Sequence, residues 1–139
     1  MAYAPTINVQ FDGERKYIHV FNIDASKDGS TGTTTIDVSA LNTNKSGAAC
    51  NRISLNKIWY NINPTAIADA ARFTWENSDG DETFLSLTGY NDSDFSSIGG
   101  LVNPNTAGNA NGDVNIIIPA HTAGDTYSIV TEWLKYYEF

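Results

Sequence analysis

The chain has 139 residues and a mass of 15.1 kDa, which is the size of one domain. Its 3 Trp, 7 Tyr and 6 Phe residues require burial and therefore exclude a disordered chain. Sixteen Asp and Glu residues against eight Lys and Arg residues give a net charge of −8. This charge argues against binding to nucleic acid or to an anionic membrane surface.

The sequence also carries information on the compartment of synthesis. No apolar run reaches the ~18–20 residues that a membrane-spanning helix needs. Residues Met1 to Pro5 lack the basic and apolar regions of a secretory signal peptide. A single cysteine, Cys50, cannot form an internal disulfide. These features predict synthesis in a reducing cytoplasm and no membrane partner.

Short alternating apolar runs, separated by turns rich in Gly, Asn and Asp, follow one another along the chain. This pattern is typical of an all-β domain. Strands are predicted over residues 7–11, 15–24, 34–38, 51–63, 71–76, 82–88, 94–101, 113–119 and 126–137. Residues 37–41 could instead form a single helical turn, and residues 65–71 are too few for a stable helix.

Three local patterns refine these predicted strands. In 51–63 the leading apolar side changes midway, which predicts a β-bulge. Residues 77–81 have the composition of a tight turn, and the pair Asn111-Gly112 could fill a type I′ turn.

Eight or nine strands without a long helix predict an all-β fold, a two-sheet antiparallel β-sandwich that is jelly-roll-like, with one domain over residues 1–139. The core is expected to come from the apolar side of each strand. The residues predicted to supply it are Tyr17, Phe21, Ile53, Leu55, Trp59, Phe73, Trp75, Ile116, Ile118, Ile129 and Trp133.

Neither histidine belongs to a recognisable catalytic or metal-binding pattern. His19 lies within an aromatic strand, and His121 precedes Asp125 without the nucleophile elbow of a hydrolase. One cysteine and two distant histidines do not match the ligand spacing of a zinc site. The sequence therefore predicts no enzyme activity, no catalytic residue, no metal site and no cofactor.

Two further patterns concern binding. Residues 77–82 concentrate side-chain oxygens like the front of a calcium loop, but the loop glycine is out of place, so a hairpin turn is the preferred interpretation. Trp59, Trp75 and Trp133 could form a carbohydrate platform, although their alternating apolar runs are typical of core positions. A glycan-binding module therefore stays open as an alternative.

Both ends of the chain are predicted to make contacts with partners. An N-terminal arm of about residues 1–11 carries no charge, and a C-terminal tail of about residues 133–139 is rich in aromatic residues. Aromatic residues are enriched in protein interfaces, whereas free termini are usually polar. An alternative is that Tyr136 and Phe139 complete the core of the domain itself. The predicted contact residues are Tyr3, Pro5, Trp133, Tyr136, Tyr137 and Phe139.

Six segments in order along the chain carry a resemblance to a known group of proteins. They are 12–15 (DGER), 35–41 (TIDVSAL), 52–60 (RISLNKIWY), 97–101 (SIGGL), 112–114 (GDV) and 121–130 (HTAGDTYSIV). With these strand and turn patterns the chain resembles small structural proteins of tailed bacteriophages, notably marine and cyanobacterial phages. Residues 135–139 depart from the pattern, so the resemblance implies nothing about their role.

The resemblance implies a virion component, synthesised in the host cytoplasm, that has no enzymatic activity. Within a virion, a small single-domain β-sandwich is expected to be a capsid decoration or cement protein on the outer capsid surface. Its expected partners are the major capsid protein and further copies of itself, related by a closed symmetry axis. A trimer is the first expectation for this self-association, and a dimer is the second. A tail, fibre-base or adaptor subunit of the virion is the first alternative, and the glycan-binding module is the second.

Overall fold

The computed structural model describes residues 5–23, 29–63, 70–104, 110–121 and 124–137, and these residues form nine β-strands. The strands are β1 (Thr6–Asp12), β2 (Lys16–Ile23), β3 (Gly32–Ile36), β4 (Arg52–Asn63), β5 (Ala71–Asn77), β6 (Glu82–Leu87), β7 (Gly89–Asp94), β8 (Ala110–Ile118) and β9 (Thr126–Tyr136). Short 3₁₀ turns cover Val38–Ala40 and Ser96–Ile98. This described part of the chain contains no helix that is long and apolar enough to cross a membrane.

The strands form two sheets in which neighbouring strands are antiparallel. One sheet has the strand order β1-β2-β9-β4-β7, and the other has the order β3-β8-β5-β6. Between β2 and β5 the chain changes sheet at every connection, and it does so again between β6 and β9. Two packed antiparallel sheets with these crossings form a jelly-roll β-sandwich, which confirms the predicted fold class.

Large apolar side chains fill the space between the two sheets. Phe73 on β5 and Trp133 on β9 stack across this space, with 6.2 Å between their ring centroids. On the same strand as Phe73, Trp75 stacks on Phe84 of β6 with 3.9 Å between ring centroids. Ten of the eleven residues predicted for the core are buried, and Trp59 is the exception.

Trp59 points outward because β4 contains a β-bulge. The register of β4 with β9 shifts between Leu55 and Lys57, so Asn56 is an extra residue in the ladder. Leu55 is buried before the bulge and Ile58 is buried after it, so the inward positions change from odd to even numbers. The predicted bulge is confirmed, but the assignment of Trp59 to the core is wrong, since the bulge leaves this side chain 44% exposed.

The segment after β6 also differs from the prediction. A strand was expected over residues 94–101, but β7 covers Gly89–Asp94 and the 3₁₀ turn at Ser96–Ile98 follows it. β7 has the polar sequence GYNDSD and lies at the edge of its sheet, where most of its side chains are exposed. Backbone hydrogen bonds alone pair this strand with β4. Its sequence therefore lacks the alternation of apolar residues from which a strand is predicted.

The pair Asn111-Gly112 lies inside β8 and does not form the expected turn. Gly112 has a φ of +90°. A Cβ atom at this position would lie 1.8 Å from the carbonyl oxygen of Asn51. Glycine is therefore required here by a close approach of two backbone segments and not by a hairpin.

Two other local predictions are confirmed. The turn at 77–81 is closed by a hydrogen bond from the N–H of Gly80 to the carbonyl of Asn77. The single helical turn at 37–41 is the 3₁₀ turn at Val38–Ala40. The segment 65–71, as far as residue 69, lies outside the described residues.

The described residues nearest to both chain ends belong to the five-stranded sheet. From Thr6 onward the N-terminal segment is strand β1, because its backbone pairs with β2 at the edge of the sheet. Residues 133–136 belong to β9, which pairs with β2 on one side and with β4 on the other. Within the described residues, the segments predicted as arm and tail are therefore hydrogen-bonded strands, as the predicted strands over 7–11 and 126–137 require.

Candidate functional site

The aromatic residues at the end of β9 contact the domain itself. Trp133 is fully buried, so its inclusion among the contact residues is corrected to a core position. Tyr136 is partly buried, and the guanidinium of Arg52 lies 4.5 Å from the centre of its ring. The hydroxyl of Tyr137 donates a hydrogen bond to the carbonyl of Glu14.

The remaining predicted contact residues are Tyr3, Pro5 and Phe139. Pro5 is partly exposed and directly precedes β1. Tyr3 and Phe139 lie outside the described residues. The described part of the N-terminal contact prediction is therefore Pro5 together with β1.

A buried lysine fixes the end of β9 to two loops. Lys135 Nζ donates hydrogen bonds to the Asp12 carboxylate at 2.6 Å, to the Gly13 carbonyl at 2.7 Å and to the Asn42 carbonyl at 2.8 Å. The Lys135 side chain is completely buried, whereas that of Asp12 is 17% exposed. Three acceptors satisfy the three donors of the ammonium group, so this contact is structural.

His121 is also a packing residue. Its ring covers Gly29, where an added Cβ atom would lie 2.1 Å from the ring atoms. Its Nδ1 lies 3.1 Å from the carbonyl oxygen of Pro119, and the ring meets Tyr127 in an edge-on contact at 5.8 Å. Backbone and aromatic neighbours of this kind hold the imidazole in place.

His19 lines a groove between the edge strands β1 and β3. The groove has a volume of about 350 Å³, and its other lining residues include Ile7, Val9 and Tyr17. His19 is buried, and its Nδ1 has no hydrogen-bond partner among the described residues. Burial disfavours the charged imidazolium and lowers the pKa of His19 from 6.5 to about 4.

The lowered pKa of His19 predicts a loss of stability in mild acid. Between pH 6.5 and about 4 the unfolded chain binds a proton at this residue that the folded chain does not bind. Above pH 6.5 the contribution of His19 to the free energy of unfolding should therefore not change with pH. As the pH falls from 6.5 toward 4, the free energy of unfolding should decrease by up to about 3 kcal/mol. Urea titrations over this range, compared with those of His19→Gln, measure this contribution because all carboxylates are common to both proteins. Equal pH slopes in the two proteins would contradict the assignment.

The acidic turn at 77–82 uses a carboxylate to hold its own conformation. The Asp81 carboxylate accepts hydrogen bonds from the backbone N–H of Asn77 at 3.0 Å and from the side-chain amide of Asn115 at 3.3 Å. Across the described ranges, no group of three or more His, Cys, Asp or Glu side chains is arranged to hold a metal ion. These contacts support the interpretation of this segment as a hairpin turn.

One exposed surface is the outer edge of the five-stranded sheet. β1 pairs with a neighbour on one side only, and Ile7, Val9 and Phe11 are between 41% and 52% exposed. A shift of register between Val9 and Phe11 turns Phe11 to the opposite face from Ile7 and Val9. The only charged residue of the strand is Asp12. We call Ile7, Val9, Phe11 and the open backbone of β1 the β1 edge.

A second exposed surface lies at the opposite end of the same sheet. In the register of β4 with β7, Trp59 is opposite Asp92 and Asn61 is opposite Tyr90. These four residues, which we call the aromatic platform, line a cavity of about 400 Å³. Tyr90 is 82% exposed and is the most exposed large hydrophobic residue of the described chain.

Of the three tryptophans that could form a carbohydrate platform, only Trp59 is exposed, since Trp75 and Trp133 are buried. The neighbours of Trp59 in the aromatic platform are not predicted by the sequence, for two reasons. Trp59 was assigned to the core, and β7, which supplies Tyr90 and Asp92, was not predicted. The signal that could have placed Trp59 outside was the β-bulge itself, since an extra residue reverses which side of the strand faces inward.

No protein-family model matches the chain, and no curated protein matches it. Among solved structures, a cupin domain from Bordetella pertussis Tohama I is similar over 98% of this chain and 97% of that chain. The two share 16% sequence identity, and the TM-score is 0.38. A similarity of this size carries no implication for activity or ligands.

Proposed function

We propose that this chain is a structural protein of a tailed-bacteriophage virion, a decoration or cement protein that binds the major capsid protein on the outer surface of the shell. In this role it braces neighbouring capsomers and performs no catalysis. The sequence resemblance supports the proposal through segments on framework strands, with 52–60 in β4 and the second half of 121–130 in β9. It also supports the proposal that the protein is synthesised in the cytoplasm of the host.

The β1 edge is the observation that carries the proposal. Natural edge strands are usually blunted by charged side chains, proline or a covering loop, because an open edge pairs with other chains. From Thr6 to Phe11 β1 has no charge, and three of its apolar side chains are exposed. An open, uncharged and apolar edge of this kind indicates that a partner covers it in the functional assembly.

The symmetry of self-association follows from how the β1 edge is used. Antiparallel pairing of β1 with β1 of a second copy is isologous and gives a dimer. In the proposed trimer, each β1 edge instead contacts a different surface of the next copy or of the capsid protein. Sedimentation equilibrium distinguishes a trimer, a dimer and a monomer that assembles only on the shell.

A tail, fibre-base or adaptor subunit is the second candidate, because such a subunit could use the same edge. Low-resolution electron cryo-microscopy of virions with and without the protein decides between the two locations. The expected result is density on the outer shell that disappears in virions lacking the protein. Density that disappears only from the tail or fibre base would overturn the capsid location.

The contribution of the β1 edge is tested by adding purified variants to virions that lack the protein. Val9→Lys places a charge on the β1 edge and is expected to abolish occupancy of the shell while preserving the circular dichroism spectrum. Thr83→Lys is the matched control, since it adds the same charge to an exposed position of β6, the edge strand of the other sheet. Normal occupancy by a folded Val9→Lys protein would show that the β1 edge is not the contact surface.

A further inference from the structure

Two large aromatic side chains are exposed on the outer face of the five-stranded sheet, far from the β1 edge. Trp59 and Tyr90 are diagonal neighbours in the aromatic platform, because Tyr90 lies two residues from Asp92, the cross-strand partner of Trp59. β7 and β1 are the opposite edges of this sheet. Large aromatic rings exposed beside an open surface depression are typical of ligand recognition.

Polar groups surround these rings at the positions where a ligand could be held. Asp92 and Asn61 are exposed residues that line the depression beside Trp59. The Asn61 side-chain oxygen accepts a hydrogen bond from the side-chain amide of Asn63 at 3.1 Å. Ring faces next to a carboxylate and amides match a pyranose, which has an apolar C–H face and a rim of hydroxyl groups.

We propose that the aromatic platform binds a neutral saccharide. The ring of the sugar would stack on Trp59 or Tyr90, and its hydroxyl groups would hydrogen-bond to Asp92 and Asn61. The cavity of about 400 Å³ lies within the range of about 300–1,000 Å³ for small-molecule sites. This volume suits a mono- or disaccharide unit.

The charge of the site selects the class of saccharide. Among the described residues that line the cavity, Asp92 is the only charged one. A sialylated, sulfated or phosphorylated sugar would bring its anion close to this carboxylate without a compensating cation, which disfavours binding. The same argument excludes stacking of nucleotides on the two rings.

The surface next to the platform extends the site toward longer chains of sugars. Ser128 lines both this cavity and a second depression of about 580 Å³ on the same sheet. The described residues that line the second depression are uncharged, and they include the hydroxyl and amide side chains of Thr6, Asn8 and Asn22. An oligosaccharide that crosses from β7 toward β2 and β1 would therefore meet neutral hydrogen-bonding groups beyond the platform.

The proposal is tested on a glycan array of neutral and anionic oligosaccharides, followed by calorimetric titration of the best neutral ligand into the purified protein. We expect at least one neutral oligosaccharide to bind, to shift the tryptophan emission to shorter wavelength and to bind more tightly than its single sugar unit. Trp59→Ala should weaken binding by about tenfold or more, since it removes the stacking surface. Asp92→Asn should also weaken it, because the charged acceptor is lost.

Ile98→Ala removes an exposed apolar residue outside the platform and is the control that should leave the affinity unchanged. Absence of binding to every neutral glycan, a preference for anionic glycans, or an unchanged affinity of Trp59→Ala would overturn the proposal. Shell occupancy by Trp59→Ala separates this site from the proposed structural role. Loss of sugar binding with normal occupancy supports two separate surfaces, and loss of occupancy alone would assign the platform to a protein contact instead.

Discussion

Replacing Trp133 by alanine is expected to lower the free energy of unfolding by about 3–5 kcal/mol. Trp133 is fully buried and stacks on Phe73 across the two sheets. Its indole N–H also donates a hydrogen bond to the hydroxyl of Thr131 at 2.7 Å. The truncation would leave a cavity between the sheets and remove a buried hydrogen bond, and urea unfolding followed by circular dichroism measures the loss.

Trp59→Ala is the matched control for this prediction. Trp59 lies on the neighbouring strand of the same sheet but points to the outer face. Its replacement should cost about 1 kcal/mol or less, because partly exposed surface positions contribute little to stability. An equal loss in the two variants would show that the bulge at Asn56 does not reverse the side that faces the core.

Replacing Lys135 by methionine is expected to cost about 3 kcal/mol, the lower end of the range for breaking a buried ion pair. The substitution removes the ammonium that three acceptors surround, and the carboxylate of Asp12 loses its cation. The cost is limited because Asp12 is 17% exposed and keeps a hydrogen bond from the backbone N–H of Asn42. Chemical unfolding at neutral pH gives the value.

Lys57→Met removes a lysine from an ion pair on the surface and serves as the comparison. Its Nζ lies 4.0 Å from a carboxylate oxygen of Asp94, and both side chains are more than one-third exposed. The expected cost is below about 1 kcal/mol. The double variant Asp12→Asn/Lys135→Met should recover part of the loss caused by Lys135→Met, since it removes the unpaired carboxylate. A cost for Lys135→Met as small as that for Lys57→Met would contradict a structural role of the buried pair.

The fold could be predicted from the sequence wherever a strand buries one side. Strand β5 is predicted by the alternation that includes Phe73 and Trp75, and strand β9 by its long segment of apolar residues. The residues predicted to face inward in both strands are buried. Strand β7 could not be predicted in this way, because an edge strand with mostly exposed side chains is held by backbone pairing alone. Gly112 was misread because its local sequence describes a turn, whereas its glycine is required by the distant backbone of Asn51.

The candidate surfaces were less predictable than the fold. The side chains of β1 are exposed because this strand lies at a sheet edge. The alternation of apolar residues in one strand does not encode the order of strands in the sheet, so this edge position could not be predicted. The aromatic platform joins residues of two strands whose register is fixed by three-dimensional pairing. Burial of Lys135 was equally hidden, because its three acceptors lie more than 90 residues earlier in the chain.

The place of β9 in its sheet has a consequence for synthesis. β9 is the last of the nine described strands along the chain, yet it joins the pair β1-β2 to the pair β4-β7. While a ribosome is still making the earlier strands, each of these pairs has an open edge and lacks the large side chain of Trp133. The domain can close only after its C-terminal strand emerges, so a stalled or truncated chain exposes two unpaired β-edges to other nascent chains.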